Sequence, residues 1–565
     1  MKKSSFFLVV LVWLGFFSAC SPSSLDKPNK SLLVQRLESI FYQESFTQIP
    51  SQIFEVTEFG AKGDGKTLNT QAIQNAIDAA HEVGGGKVTF PPGTYVSGAI
   101  FVKSNVELNI PQGVSIIAIQ DDKQFPDIWT RIAGIEMEWP AALINIYQQQ
   151  NVRITGKGII DGNGKYWWDK FWGDPPRQGG MYVDYTQRGI RWAVDYDCKR
   201  VRPVAVYESK DVLLQDFSVK RAGFWTISLT YSERVYVNGL IIRNNIGGYG
   251  PSSDGINSDS SKDILVENCD IDCNDDNLCI KAGRDADGLR VNRPAENIVY
   301  RNCITRSGHG LFTIGSETSG GVRNVEVYGL EAIGTNIGIR FKSAKVRGGL
   351  IENVWFHDIK MKQVNHPFHF ELNWYPEYSY PQIPQEFAQK EIPDHWKVMT
   401  TRVKPPARGI PEFRNIRLSN ITVEAAKEAI YANAFPEKPI HHLSWENVSI
   451  KAEKGGEIQY ARDWEMDNVF ISLKQPDQPI QLIHSEGIKL APDVSKRIEP
   501  IDAEESDATE ETFRPTPTQP IIPVHSQSKQ PVFEGDTTTF SENPKVYLTL
   551  TPNAQINYFE PLGDG

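Results

Sequence analysis

The chain has 565 residues, enough for a large core and more than one structural unit. Its formal charge of −11 argues against non-specific nucleic-acid binding, and a polyanionic ligand would need a local basic cluster. The composition, with 44 Gly, 35 Pro and 11% aromatics, is that of a globular protein rich in turns and strands.

The N-terminus pairs Lys2 and Lys3 with an apolar run from Phe6 to Phe17, the pattern of an export signal and too short to span a bilayer. The run closes on "FSAC" and the polar "SPSS", which resembles a bacterial lipoprotein box. On that reading residues 1–19 are removed and Cys20 carries a lipid, anchoring the protein in the bacterial cell envelope. An ordinary cleavable signal with a chance cysteine is the alternative. Loss of the leader removes two lysines and no acid, leaving a charge of −13. Cys20 then has five companions, Cys198, Cys269, Cys273, Cys279 and Cys303. Their odd number and the absence of a C-x-x-C pair indicate neither a full disulfide framework nor a zinc site.

Residues 20–51 read as an N-terminal tether. From Thr70, "TQAIQNAIDAAHEVGGG" has helical apolar spacing and a glycine stop, which predicts a helix capping one end of the fold. Beyond it one pattern recurs: a polar residue, alternating apolar positions, then Asn or Asp and a turn. It begins at Asn151, Asp211, Arg234, Asp263, Asn297, Asn324, Asn353, Asn415 and Asn468. Between 211 and 353 the steps are 23, 29, 34, 27 and 29 residues. Such a period signals a solenoid, and alternation by two selects strands over helical repeats. The L-x-x-L-x-L frame of leucine-rich repeats is missing. The expected fold is therefore all-β: a single-stranded right-handed parallel β-helix over residues 52–476.

Two stretches interrupt the rhythm, one from Asp161 to about Arg202 and one from about Asn365 to Pro411. The first contains Trp167, Trp168, Trp172 and Trp192, either packing on the solenoid or forming a wall over a cleft. Residues 477–530 read as a linker and 531–565 as a short β-hairpin-like tail.

The chemistry gathers around "CNDDNLCIKAG", where Asp275 and Asp276 precede an apolar run. "GPSSDGINSDSS" sets Asp254 one short coil earlier, and coils stack about 4.8 Å apart, so Asp254 can face that pair. His309 of "SGHG", then Arg340 and Lys342 of "GIRFKS", follow on successive coils. Any one of these acids would read as a solvated bend; their order and spacing carry the functional reading. An EF-hand is excluded, because its sixth position is Asp275 where Gly is needed and its twelfth is Lys281 where Glu is needed. An irregular calcium site stays open on the residues alone.

These motifs resemble glycoside hydrolase family 28, the polygalacturonases and their relatives, from about Gln52 to Pro476. The family pattern N-T-D, D-D, G-H-G, R-I-K stands here as Ser252-Ser253-Asp254, Asp275-Asp276, Gly308-His309-Gly310 and Arg340-Phe341-Lys342. "FGAKGDGKTLNTQAIQNAID" and "GSETSGGVRNV" match as well. The resemblance implies Asp275 as general acid, Asp254 and Asp276 as the pair that positions and deprotonates water, and inversion at the anomeric carbon. It also implies His309 as support for the acid and Arg340 and Lys342 as the grip on a uronate carboxylate. It implies neither metal nor cofactor, and a monomer acting on an acidic plant polysaccharide, pectin or galacturonan, from the chain end. A rhamnogalacturonan hydrolase or galacturonidase is the alternative within the family. A pectate lyase would need clustered calcium ligands and lacks G-H-G, and a non-catalytic glycan-binding β-helix need not keep all three acids. Ser-Ser in place of Asn-Thr changes the surroundings of Asp254, Phe341 replaces Ile, and the two interruptions exceed those of a plain endo-acting enzyme.

Overall fold

The polar residue that opens each repeat turns the chain. Asn151, Asp211, Arg234, Asp263, Asn297, Asn324, Asn353, Asn415 and Asn468 all sit in the left-handed region, with φ between 51° and 57°. Asparagine and aspartate tolerate that conformation better than most residues, and their side chains also bond along the stack. Asn297 donates to Asp263 (3.1 Å), Asn324 to Asn297 (3.2 Å) and Asn353 to Asn324 (3.3 Å).

The computed structural model describes residues 30–489, so the leader, Cys20, most of the expected linker and the hairpin-like tail lie outside the described residues. Each central coil contributes three short strands that pair in parallel with those of the coils before and after. These stacks merge at the C-terminal coils, where single strands such as Glu412–Asn433 bend through the corners, into one sheet of 33 strands. Its right-handed wind is the one that strand twist imposes on parallel crossovers. The core is a column of inward residues, among them Val206, Leu229, Ile256, Leu278, Phe312 and Ile339. Helix α2 (Thr70–Glu82) buries Ile73, Ala76, Ile77 and Ala80 against the first coils, as the capping helix was expected to do.

Two expected boundaries shift. The tether contains helix α1 (Leu32–Phe41), which lies across the flank and buries Val34, Leu37 and Phe41 against Leu213, Tyr236, Leu265 and Val299. Those four point outward at one register position of successive strands. Apolar residues on a solvent face need a cover, and the helix supplies it. The solenoid also runs past Pro476, because Gln481–Ile483 and Glu486–Lys489 pair with the preceding coil. These strands are short and polar, so the alternation that marks earlier coils is faint in them.

The interruptions fold onto the outward face of one strand stack. The first supplies α3 (Lys165–Trp172), α4 (Gly180–Gln187) and α5 (Val194–Asp197); a turn of helix, α6 (Asp285–Val291), follows, and the second supplies α7 (Pro376–Ser379) and α8 (Asp394–Thr400). An antiparallel hairpin, Asp127–Ile132 with Ile135–Pro140, joins them. Trp139, Trp192, Trp225, Trp374, Tyr378 and Trp396 form a second core there. All five thiols in the described residues are free and buried, packing as small apolar groups.

Arg301 anchors α1 to the flank. It binds Glu267 (2.6 Å) and Glu38 (2.7 Å), and both Tyr42 and Tyr236 donate to Glu267. Replacing Arg301 by alanine leaves Glu267 buried without its cation. The expected loss is about 3 kcal/mol, read as a lowered denaturation midpoint.

Candidate active site

The outward face beneath those excursions carries every motif residue. Strand register fixes their order. Ile256 pairs with Leu278, so Asp254 stands beside Asp276, two positions earlier on neighbouring coils, while Asp275 occupies the bend just ahead. Asp276 pairs in turn with Gly310, next to His309, and Thr313 with Arg340. The structure thus brings Asp254, Asp275, Asp276, His309, Arg340 and Lys342 together on four successive coils.

Asp276 is the most strongly compensated acid. Lys342 Nζ lies 2.8 Å from its Oδ2, Arg340 Nη1 3.1 Å from its Oδ1, and the Thr313 hydroxyl donates to Oδ1 at 2.7 Å. Two cations and a hydroxyl thus face this carboxylate and favour its charged form. Both expected uronate-binding cations therefore also serve an acid of the site. Gly310 is required there: a Cβ would stand 2.6 Å from Asp276 Oδ1 and 2.3 Å from Thr313 Oγ1.

Asp254 differs. It is fully buried, and neither carboxylate oxygen has a hydrogen-bond partner among the described residues, although Lys281 Nζ approaches Oδ2 at 3.5 Å. Burial first, and the neighbouring Asp275 charge second, push its pKa well above the carboxylate range. An oxygen of Asp254, one of Asp276 and the Cys279 sulfur lie within 4.8 Å of one another, a spacing that also suits a metal ion. Lysine ammonium groups already stand at both carboxylates, which makes a further cation electrostatically redundant.

Asp275 is also buried, in the bend ahead of Asp276. Its Oδ1 accepts the Asp276 N–H at 2.7 Å and lies 3.7 Å from His309 Nδ1. The His309 backbone N–H donates to the Asp275 carbonyl at 2.9 Å, tying the G-H-G turn to the acid's own bend. Asp275 and His309 line a narrow recess with Phe171, Trp172, Arg177, Tyr249 and Ser252.

Sequence reasoning missed Lys281, which bridges Asp254 and Glu317 (3.3 Å) with its ammonium 4.9 Å from the Trp225 ring centre. It also missed Asn257 and the Arg131–Asp259 pair (2.9 Å) on the same buried face. The signal was present in part: Lys281 follows Cys279 at the two-residue spacing of outward positions. Trp167, Trp168, Trp172 and Trp192 are all buried, so most of the aromatic density packs the excursion, with Trp172 alone of the four at the recess.

Comparison with known proteins indicates a glycosidase, an enzyme that hydrolyses O-glycosyl bonds. The family model described as Glycosyl hydrolases family 28 matches residues 185–383, which hold all six motif residues. A second model, Rhamnogalacturonase A/epimerase, pectate lyase-like, matches residues 53–116. An exo-poly-alpha-D-galacturonosidase of Dickeya chrysanthemi is 28% identical over 348 residues, 56% of each chain. A probable polygalacturonase of Vitis vinifera is 27% identical, covering 66% of this chain and 74% of the relative. Among solved structures, a hyperthermoactive exopolygalacturonase from Thermotoga maritima is 26% identical with a TM-score of 0.66, covering 78% of this chain and 96% of that one.

The raised Asp254 carboxyl has a consequence for stability. Between the ordinary carboxylate pKa and the raised one, the folded state binds more protons than the unfolded, so stability falls as pH rises across that window. Asp254→Asn removes this dependence. The variant should melt higher than wild type at pH 7, with the advantage vanishing below about pH 4, as thermal melts across pH would read out.

Proposed function

We propose that the protein is an exo-acting polygalacturonase that cleaves α-linked galacturonic acid in pectin with inversion. The observation that carries this reading is the pairing of Asp276 with Lys342 and Arg340 from two coils further on, directly beside the Asp275–His309 pair and beneath two excursions. The names of the relatives from Dickeya chrysanthemi and Thermotoga maritima support chain-end action on galacturonan.

In the reaction Asp275 protonates the glycosidic oxygen, being the one of the three acids that lines the recess. His309, 3.7 Å from it, adjusts the proton affinity of that carboxyl. Water attacks the anomeric carbon from the other face and gives its proton to Asp276, whose charged form its cations favour. Asp254 holds the same water through the oxygens that no protein donor occupies. Burial and the neighbouring Asp275 charge raise the proton affinity of Asp254. Arg340 and Lys342 face the substrate carboxylate as well as Asp276, which makes the grip on uronate and the base's ionisation interdependent. The protein also acts from the cell envelope, held by a lipid on Cys20; Cys20→Ala should release it into the soluble fraction.

Asp275→Asn should lower turnover by about 10²–10⁴-fold while glycan binding persists; near-wild-type turnover refutes the assignment. Lys342→Ala should weaken handling of uronate by roughly 1–3 kcal/mol in kcat/KM. Product sizing on polygalacturonate tests the exo reading, with monosaccharide expected from the first moments. Mixed oligomers and a rapid fall in viscosity would show endo action, and release from rhamnogalacturonan instead would favour the alternative substrate.

A further inference from the structure

Asp254 is delivered by the segment Gly248–Asp254, whose Ser252 is in the left-handed region (φ 51°). A serine there is strained and needs outside contacts to hold it. These come from the first excursion. Ser252 Oγ donates to Asp195 Oδ1 at 3.3 Å, and Arg200 Nη1 donates to the Pro251 carbonyl at 2.9 Å. Asp195 and Arg200 bind each other at 2.8 Å with both side chains fully buried, and Arg191 holds the other Asp195 oxygen at 3.0 Å. The Arg200 guanidinium lies between two rings, 4.4 Å from Phe171 of the excursion and 4.4 Å from Phe224 of the solenoid. From the solenoid side, Asn244 donates to the Ser253 carbonyl at 3.0 Å and the Thr226 N–H to the Asp254 carbonyl at 2.9 Å. The turn is gripped on two sides, and one grip belongs to the excursion.

We propose that Asp195 and Arg200 are positioning residues, through which the excursion fixes the place of Asp254 beside Asp276. This inference rests on the reading of Asp254 as a member of the reacting acids. In the family pattern Asn and Thr precede that acid; here Ser252 and Ser253 do, and Ser252 reaches Asp195 in the excursion instead. The buried Asp195–Arg200 pair is a rigid bracket, because moving either partner leaves a buried charge uncompensated.

A bracket and a mere packing contact differ in what their loss changes. Asp254 is faced by Asp275, Asp276 and Cys279, and by the ammonium groups of Lys281 and Lys342, with Glu317 behind Lys281. Loosening the turn lets water reach Asp254, lowers its proton affinity and moves it from its place beside Asp276. Asp195→Asn and Ser252→Ala should be compared with wild type on polygalacturonate over pH 4–9, with melting temperature and folded fraction measured on the same samples. Asp195→Asn should lose about 10²-fold in kcat per folded molecule, the size expected of an ångström-scale misplacement, with KM within about twofold. The pH–rate limb should move to lower pH. Ser252→Ala removes one hydroxyl and should show the same signs, smaller; it decides the matter alone should Asp195→Asn fail to fold.

A lowered melting temperature with kcat and the pH limb unchanged overturns the inference, as does a change in KM alone. If wild type proves active on a different glycan, the galacturonan reading falls and the same comparison is made on that glycan. A wild type inert on every glycan overturns both.

Discussion

The site depends on the register between neighbouring coils. Parallel pairing of Ile256 with Leu278 sets Asp254 and Asp276 side by side, and pairing of Thr313 with Arg340 brings a guanidinium to the same carboxylate. Since strand side chains alternate between faces, a slip of one residue would turn these charges into an apolar core and expose Leu278 and Ile280. The core therefore enforces the geometry of the acids. Inward Ile, Leu and Phe hold the register, and outward charges inherit it at a spacing of one strand.

The same stacking explains why so many ionised groups persist out of water. Asp276 has Lys342, Arg340 and Thr313, Glu317 has Lys281, and Asp259 has Arg131. Each partner comes from a coil one or two turns along or from an excursion laid over it, so compensation is a property of the assembled solenoid. Asp254, with no hydrogen-bond donor among the described residues, is the exception, and its raised proton affinity is the electrostatic record of that.

Much of this arrangement was legible in the sequence because β-helix geometry is nearly one-dimensional. The repeats opening at Asp211, Arg234 and Asp263 disclosed the strands of one flank, and the order of Asp254, Asp275, His309 and Arg340 disclosed the column of the site. What stayed hidden depends on contacts across the coil. Leu213, Leu265 and Val299 break the apolar alternation of their strands, yet only the docked α1 gives the break a meaning. The excursions gave no period to read, so the linkage of Asp195 to Ser252, 57 residues apart, lay beyond pattern. The tryptophans of the first excursion advertised a sugar platform by number alone, and their burial assigns most of them to packing.

Helix α1 touches five consecutive coils: Leu213, Tyr236, Leu265 and Val299 through its apolar face, and Glu326 through the hydroxyl of its capping Ser31. A solenoid without such a member has energetic coupling only between adjacent repeats, so it can fray from either end one turn at a time. A splint laid lengthwise adds coupling between turns that never meet. The central turns, which include the ones bearing Asp254, Asp275 and Asp276, are thereby fused into a single cooperative block, and partial melting that would spare some acids and scatter others is penalised there. The splint lies on a different flank from the chemistry, and it acts as a keel for it.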